Sequence, residues 1–222
     1  MTGAEWLACD DPKVLWARCE PQATERKKAL FRVACCRSAV AATNQTEQYE
    51  FEVSVLEGYA DGHLDHDVVH RVFTRLSWPA REAQRAGPTP GDPPARFVEE
   101  VMIAATAPGD QATESALAFA QWTLEAVGLG VASARRPFVA LVRDIFGNPF
   151  RPITPDPRWR TSAALSLAAT MYESRDFAPM PVLADALEEA GCDDAAVLAH
   201  CRDPQAPHVR GCWVVDLVLG KG

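Results

Sequence analysis

The sequence predicts an all-α fold, a multi-helix, orthogonal or bundle-like single domain, and three observations predict it. Ala, Leu, Glu, Arg and Gln dominate, and apolar positions recur at spacings of three and four. Helix starts and stops punctuate the chain, with Asp-Pro pairs at Asp11-Pro12 and Asp92-Pro93 and glycines after periodic runs at Gly62, Gly128 and Gly191. The third observation is the lack of partnered strand-like runs. Val209–Leu219 is valine-rich enough for a buried strand, but nothing else in the chain would pair with it, so it is read as helix.

The elements follow in order. Thr2-x-x-Glu5 is a capping box that opens a short helix carrying Trp6 and Leu7. Asp11 caps a second helix with Pro12 at its first position, where a missing N–H costs nothing. Residues Thr24 to Ala42 set Leu30, Phe31, Val33, Ala34 and Val40 against Arg26, Lys27, Lys28 and Arg37, an amphipathic helix facing a core. Helices over 47–60 and 64–86 are expected beside it. The stretch from Gly87 to Pro94 holds four prolines and two glycines and can continue neither helix nor strand. It is taken to divide an N-terminal helical layer, 1–86, from a C-terminal one, 95–222, around one shared core. Helices are then expected over 93–106, 110–127 and 133–146. A second proline-rich loop, 147–157, leads to a helix from Trp159 to Tyr172, and three more are expected over 179–190, 193–201 and 209–219.

Composition excludes several classes. With 222 residues, 48% apolar and 23% charged, the chain is long enough to bury a substantial core. A net charge of −8 repels phosphate backbones, so no nucleic-acid partner is expected. The basic segment 151–160, with Arg151, Arg158, Arg160 and Trp159, is read as solvated or helix-capping. No apolar run approaches the roughly 20 residues that cross a bilayer, so no membrane association is expected. Seven cysteines are an odd number, and the opening Met-Thr-Gly-Ala-Glu-Trp has neither a basic nor an apolar leader. A cytoplasmic, reducing location with free thiols follows as an expectation.

Long motifs carry a resemblance: Glu5-Trp-Leu-Ala-Cys9, Phe31-Arg-Val-Ala-Cys-Cys-Arg37, Leu141-Val-Arg-Asp-Ile-Phe-Gly-Asn-Pro-Phe-Arg-Pro152, Met180-Pro-Val-Leu-Ala-Asp-Ala-Leu-Glu-Glu-Ala-Gly-Cys192 and His208-Val-Arg-Gly-Cys-Trp213. In these the chain resembles a family of uncharacterised planctomycete proteins over nearly its whole length. The resemblance implies no activity, cofactor or catalytic residue. Residues 183–191 are also similar to a short "ADWLEE-x-G" motif of planctomycete repeat-companion domains, which implies an interaction role.

Chemistry-bearing residues concentrate near the C-terminus. Cys192, His200, Cys201, His208 and Cys212 place three of seven cysteines and two of five histidines within 21 residues. If a helix begins near His208, His208 and Cys212 lie four apart on one face. Cys201 or His200 approaching from the preceding helix would then complete a zinc or iron site. The competing reading is that these cysteines pack as small hydrophobes.

A second candidate is His63, His66, Asp67 and His70. On one helix the three imidazoles fall within about 60° of each other. A solvated polar face is the expected reading here, with metal binding the sharper one. Cys35-Cys36 beside Arg32 and Arg37 is a candidate redox thiol, set against simple packing. Trp78 and Trp159, next to proline- and arginine-rich loops, are candidates to line a groove. There is no G-x-S-x-G motif, no phosphate-cradling glycine loop and no suitably spaced carboxylate pair.

The expected function is therefore a non-catalytic intracellular helical interaction module with a protein partner. The alternative is a metal-binding protein built on the C-terminal cluster, and a thiol redox sensor is the third reading.

Overall fold

A computed structural model describes residues 1–72, 74, 94–106 and 110–221. The fold is all-α and multi-helical, with no strand among the described residues. The helices are α1 (Gly3–Ala8), α2 (Pro12–Cys19), α3 (Glu25–Ala42), α4 (Thr46–Ala60), α5 (Pro94–Thr106), α6 (Asp110–Ala126), α7 (Val131–Phe146), α8 (Ser162–Ser174), α9 (Met180–Glu189), α10 (Ala195–Arg202) and α11 (Trp213–Leu219). Residues 66–72 are also helical. Among the described residues no helix is long and apolar enough to cross a membrane.

The expected caps form with their donors in place. Thr2 and Glu5 exchange backbone-to-side-chain bonds of 2.7 and 3.3 Å, and Asp11 accepts from the Lys13 N–H at 2.9 Å. Thr24 and Thr161 accept from the third residue of α3 and α8, and Asp194 accepts from Ala196 and Val197 at the start of α10. Each bond satisfies a donor that the first helical turn leaves open. The Asp92-Pro93 start, residues 87–93 of the expected boundary, the part of the expected 64–86 helix beyond residue 74, and Trp78 lie outside the described residues.

Two compact units are resolved: Cys9–Val139, and Met1–Ala8 together with Ala140–Gly222. In the first, α3 is the central element and packs on α4, α5 and α6. Its Leu30, Phe31, Val33, Ala34, Cys35, Cys36, Ala39 and Val40 are buried, as the apolar stripe requires. Trp16 stacks on Phe31 with ring centroids 5.7 Å apart. Arg32 lies on the buried side of the same helix, with its charge satisfied by the Ala105 carbonyl and the Thr113 hydroxyl.

The second unit holds α1, the last two turns of α7 and α8–α11. Its core gathers Trp159, Met171, Tyr172, Met180, Leu183, Leu187, Val197, Val214, Val215 and Val218, with Cys192, Cys201 and Cys212 among them. Two features close its C-terminal end. Arg160 donates to the Val218 and Leu219 carbonyls, satisfying acceptors at the end of α11. The guanidinium of Arg210 lies 4.5 Å from the Tyr172 ring centre, anchoring the loop before α11 to α8.

The expected helix over 209–219 is corrected to Trp213–Leu219. His208 has φ of 34° and Gly211 of 92°, neither compatible with a helix. The Cys212 N–H instead closes a turn onto the Val209 carbonyl at 2.8 Å.

Candidate metal centre

Four side chains from separate parts of the second unit converge: Asp144, His200, His208 and Cys212. One donor atom of each lies within 4.8 Å of the donors of the other three. Asp144 is in the last turn of α7, beside a buried stripe of Phe138, Leu141, Val142 and Ile145. His200 is in the last turn of α10. His208 lies in the connecting loop, and Cys212 is the N-cap of α11.

The carboxylate is the hub. Asp144 Oδ1 is 3.1 Å from His208 Nδ1 and 3.2 Å from His200 Nε2, while Oδ2 accepts the Val209 N–H at 3.0 Å. Cys212 Sγ is 3.2 Å from His200 Nε2 and 3.9 Å from His208 Nδ1. The His200 and His208 rings meet edge to face at 4.9 Å, and Trp213 covers His200 at 5.2 Å.

These spacings can be compared with a coordination sphere. Tetrahedral zinc has bonds of about 2.0–2.3 Å to nitrogen, oxygen and sulfur, which separates neighbouring ligand atoms by roughly 3.3–3.8 Å. The four donor separations given above are 3.1, 3.2, 3.2 and 3.9 Å. Three of them are hydrogen-bond lengths a little below those edges and the fourth is a little above, so shifts of a few tenths of an ångström would bring the donors to a tetrahedral two-nitrogen, one-oxygen, one-sulfur site.

The electrostatics fit the same set. Burial acts to raise the Asp144 pKa, but the contacts with His200 and His208, the pull of His200 and the Val209 N–H outweigh it and leave it at about 2. The carboxylate is thus ionised although its side chain has no exposed surface. Burial, followed by the Asp144 charge, pushes the Cys212 thiol well above its ordinary value. A divalent cation reverses this second effect, because it neutralises Asp144 and binds the thiolate directly. Asp144 and Cys212 as anions then balance a charge of +2, a neutral arrangement suited to a buried site.

His208 carries two marks of constraint. Its φ of 34° is in the left-handed region that a β-carbon disfavours. Its side chain is 8% exposed, and its Nε2 has no hydrogen-bond partner among the described residues. A buried polar atom left so costs about 1–3 kcal/mol.

Of the five residues the sequence marked, His200, His208 and Cys212 meet. Their meeting does not depend on a shared helical face, since the turn at 208–212 places His208 and Cys212 together. Cys192 and Cys201 are not among the four and are buried in the apolar core. Asp144 was not anticipated. Its signal was an acid about 60° around the wheel from Leu141, bordering the apolar stripe of an amphipathic helix.

The other candidates are placed differently. His63, His66, Asp67 and His70 are exposed, and His63 lies in the turn before the helix, which Asp65 caps through the Val68 N–H. His63 therefore does not share a helical face with His66 and His70, whose ring centres lie 6.2 Å apart. Cys35 and Cys36 are fully buried in α3, and burial pushes Cys36 up to about 12. Trp159 is in the core rather than along a groove. In segment 151–160, Arg158 pairs with Asp156 and Arg160 caps α11. No protein-family model, curated protein or solved structure matches the chain.

Proposed function

We propose that this protein binds one divalent transition-metal ion, zinc by preference, through Asp144, His200, His208 and Cys212. The observation that carries this reading is the convergence of four chemically suitable donors, all within 4.8 Å of one another. A mixed nitrogen, oxygen and sulfur set favours zinc over the harder cations, and one thiolate with two imidazoles suits it better than an all-oxygen site. Four protein ligands leave no open position, so the ion is structural. It ties the end of α7, the end of α10, the 203–212 loop and the start of α11 into one body. The protein is on this reading non-catalytic.

The same proposal includes a reducing cytoplasmic setting, supported by the free state of all seven cysteines. It also includes kinship with the planctomycete family, which rests on the long sequence motifs. A role in binding a protein partner has less support: Leu7, Val14, Phe51, Trp122 and Val182 are exposed on five different helices, and only Val127, Leu129 and Val131 lie close together in sequence. A redox-sensing role has less again. Burial pushes Cys19, Cys36 and Cys201 up to about 12 and raises Cys35 and Cys212 well above the ordinary thiol range, so their thiolates are scarce near neutral pH.

Cobalt substitution tests the reading. Metal-stripped protein titrated with cobalt(II) should develop the intense visible bands of tetrahedral coordination, saturating at one equivalent, and a near-ultraviolet thiolate-to-metal band. Cys212→Ser should lose the second band, and Asp144→Asn should weaken binding. Weak octahedral-type absorption in the wild-type protein would refute the site.

A further inference from the structure

Beside the four-residue cluster lies a cavity of about 370 Å³, within the range of roughly 300–1,000 Å³ typical of small-molecule sites. Its walls are aromatic and aliphatic, with Trp6 from α1, Phe146 at the end of α7 and Trp213 and Leu217 on α11. His200 adds one edge. All of these residues belong to one compact unit.

The permanently charged side chains of the lining have one sign. Arg143 and Arg151 both contribute, and no Asp or Glu lines the cavity. Their roles differ. Arg143 donates from Nη2 to the Trp6 and Leu7 carbonyls at 2.9 Å each, which fixes α1 as a wall. Arg151 is 57% exposed at the rim, and among the described residues its guanidinium meets only the Asp194 carboxylate, at 3.7 Å, beyond hydrogen-bonding range. Asp194 is itself engaged as the cap of α10. A planar guanidinium so placed presents its fork to a carboxylate or similar oxyanion.

We propose that this cavity binds a small organic anion with a flat apolar body, its ring against the half-buried Trp213 and its carboxylate on Arg151. The Trp213 indole with Phe146 and Leu217 favours a planar hydrocarbon body, and Arg151 at the rim favours a single negative charge on it. The inference goes beyond the metal reading. The recognising groups are Arg151 and the aromatic walls, and His200 supplies only an edge.

Calorimetric titration of the full chain with 2-naphthoate, its neutral amide and 2-naphthylmethylamine tests this. The expected result is one naphthoate per chain, bound about tenfold or more tighter than the amide, as an added charge-assisted hydrogen bond implies. The amine should bind weakest. Arg151→Gln, at an exposed position, should bring the acid down to the affinity of the amide. Leu217→Trp, which fills the cavity, should abolish binding of all three. Equal affinity for acid and amide, naphthoate binding that Arg151→Gln leaves unchanged, or no binding by the wild-type protein would each overturn the proposal. Any of these with the tetrahedral cobalt spectrum intact would overturn the pocket alone.

Discussion

Asp144 is the residue on which most of the second unit's polar chemistry depends. It is buried, ionised and shared by two imidazoles and a backbone N–H. Removing one partner of such a buried set leaves the others unsatisfied, which typically costs about 3–5 kcal/mol. Asp144→Ala should therefore lower unfolding free energy in chelator by about 3 kcal/mol, measured by urea denaturation.

The same carboxylate sets an acid limb. Its folded pKa of about 2 lies below the ordinary 3.8, so ionisation favours the folded state. That contribution, about 2 kcal/mol in the metal-free protein, is fully present above about pH 4 and disappears as pH falls through about 2. Asp144→Asn should flatten this limb; an identical acid profile for the variant would show that the stabilisation comes from elsewhere.

Thiol reactivity offers a further check at this scale. Cys9 is the only cysteine that is not buried. Native protein at mildly alkaline pH should react rapidly at a single thiol, and at seven after denaturation. The three cluster residues that the sequence exposed, His200, His208 and Cys212, were visible as ligand types crowded into one region. Asp144 was hidden because an acid within a helical pattern reads as a solvated face until its neighbours in space are known.

At the scale of elements, the sequence was most legible where a local rule decides. Capping boxes, Asp-Pro starts and glycine stops act over four residues, and the helices they mark form as expected at α1, α2, α3 and α10. It was least legible over 203–212, where conformation is set by distant groups. The Val209 N–H is held by Asp144, the Arg210 guanidinium by Tyr172, and His208 keeps a φ that its own side chain disfavours.

One glycine controls this junction. Gly147 ends α7 with φ of 64°, and a β-carbon there would meet Trp213 at 3.3 Å. Gly147→Ala combines left-handed strain with a contact that moves Trp213, which covers His200. It should cost about 1–2 kcal/mol in thermal or urea unfolding and weaken cobalt binding. An unchanged midpoint would mean the junction relaxes freely.

Over the whole molecule, composition alone fixed the all-α character, because alanine- and leucine-rich helical periodicity runs through the chain. The compact units were not legible in it. One of them joins Met1–Ala8 to Ala140–Gly222, and that association depends on Arg143 reaching the carbonyls at the end of α1 across more than 130 residues of chain. No local pattern encodes such a contact.

An ion that ties α7, α10 and α11 together stabilises the folded state in proportion to its free concentration over its dissociation constant. Chelation should therefore raise amide hydrogen exchange across residues 200–219, which hold three of the four ligands and the helix that Cys212 caps.

The most direct test of the central claim is the metal content of untagged protein purified without added metal or chelator, determined by plasma mass spectrometry beside Asp144→Asn and a Cys212→Ser, His208→Ala double variant. The account predicts about one equivalent of zinc per chain in the wild-type protein, less in Asp144→Asn, and a trace in the double variant. Metal-free wild-type protein that is fully helical and takes up no added zinc would contradict it.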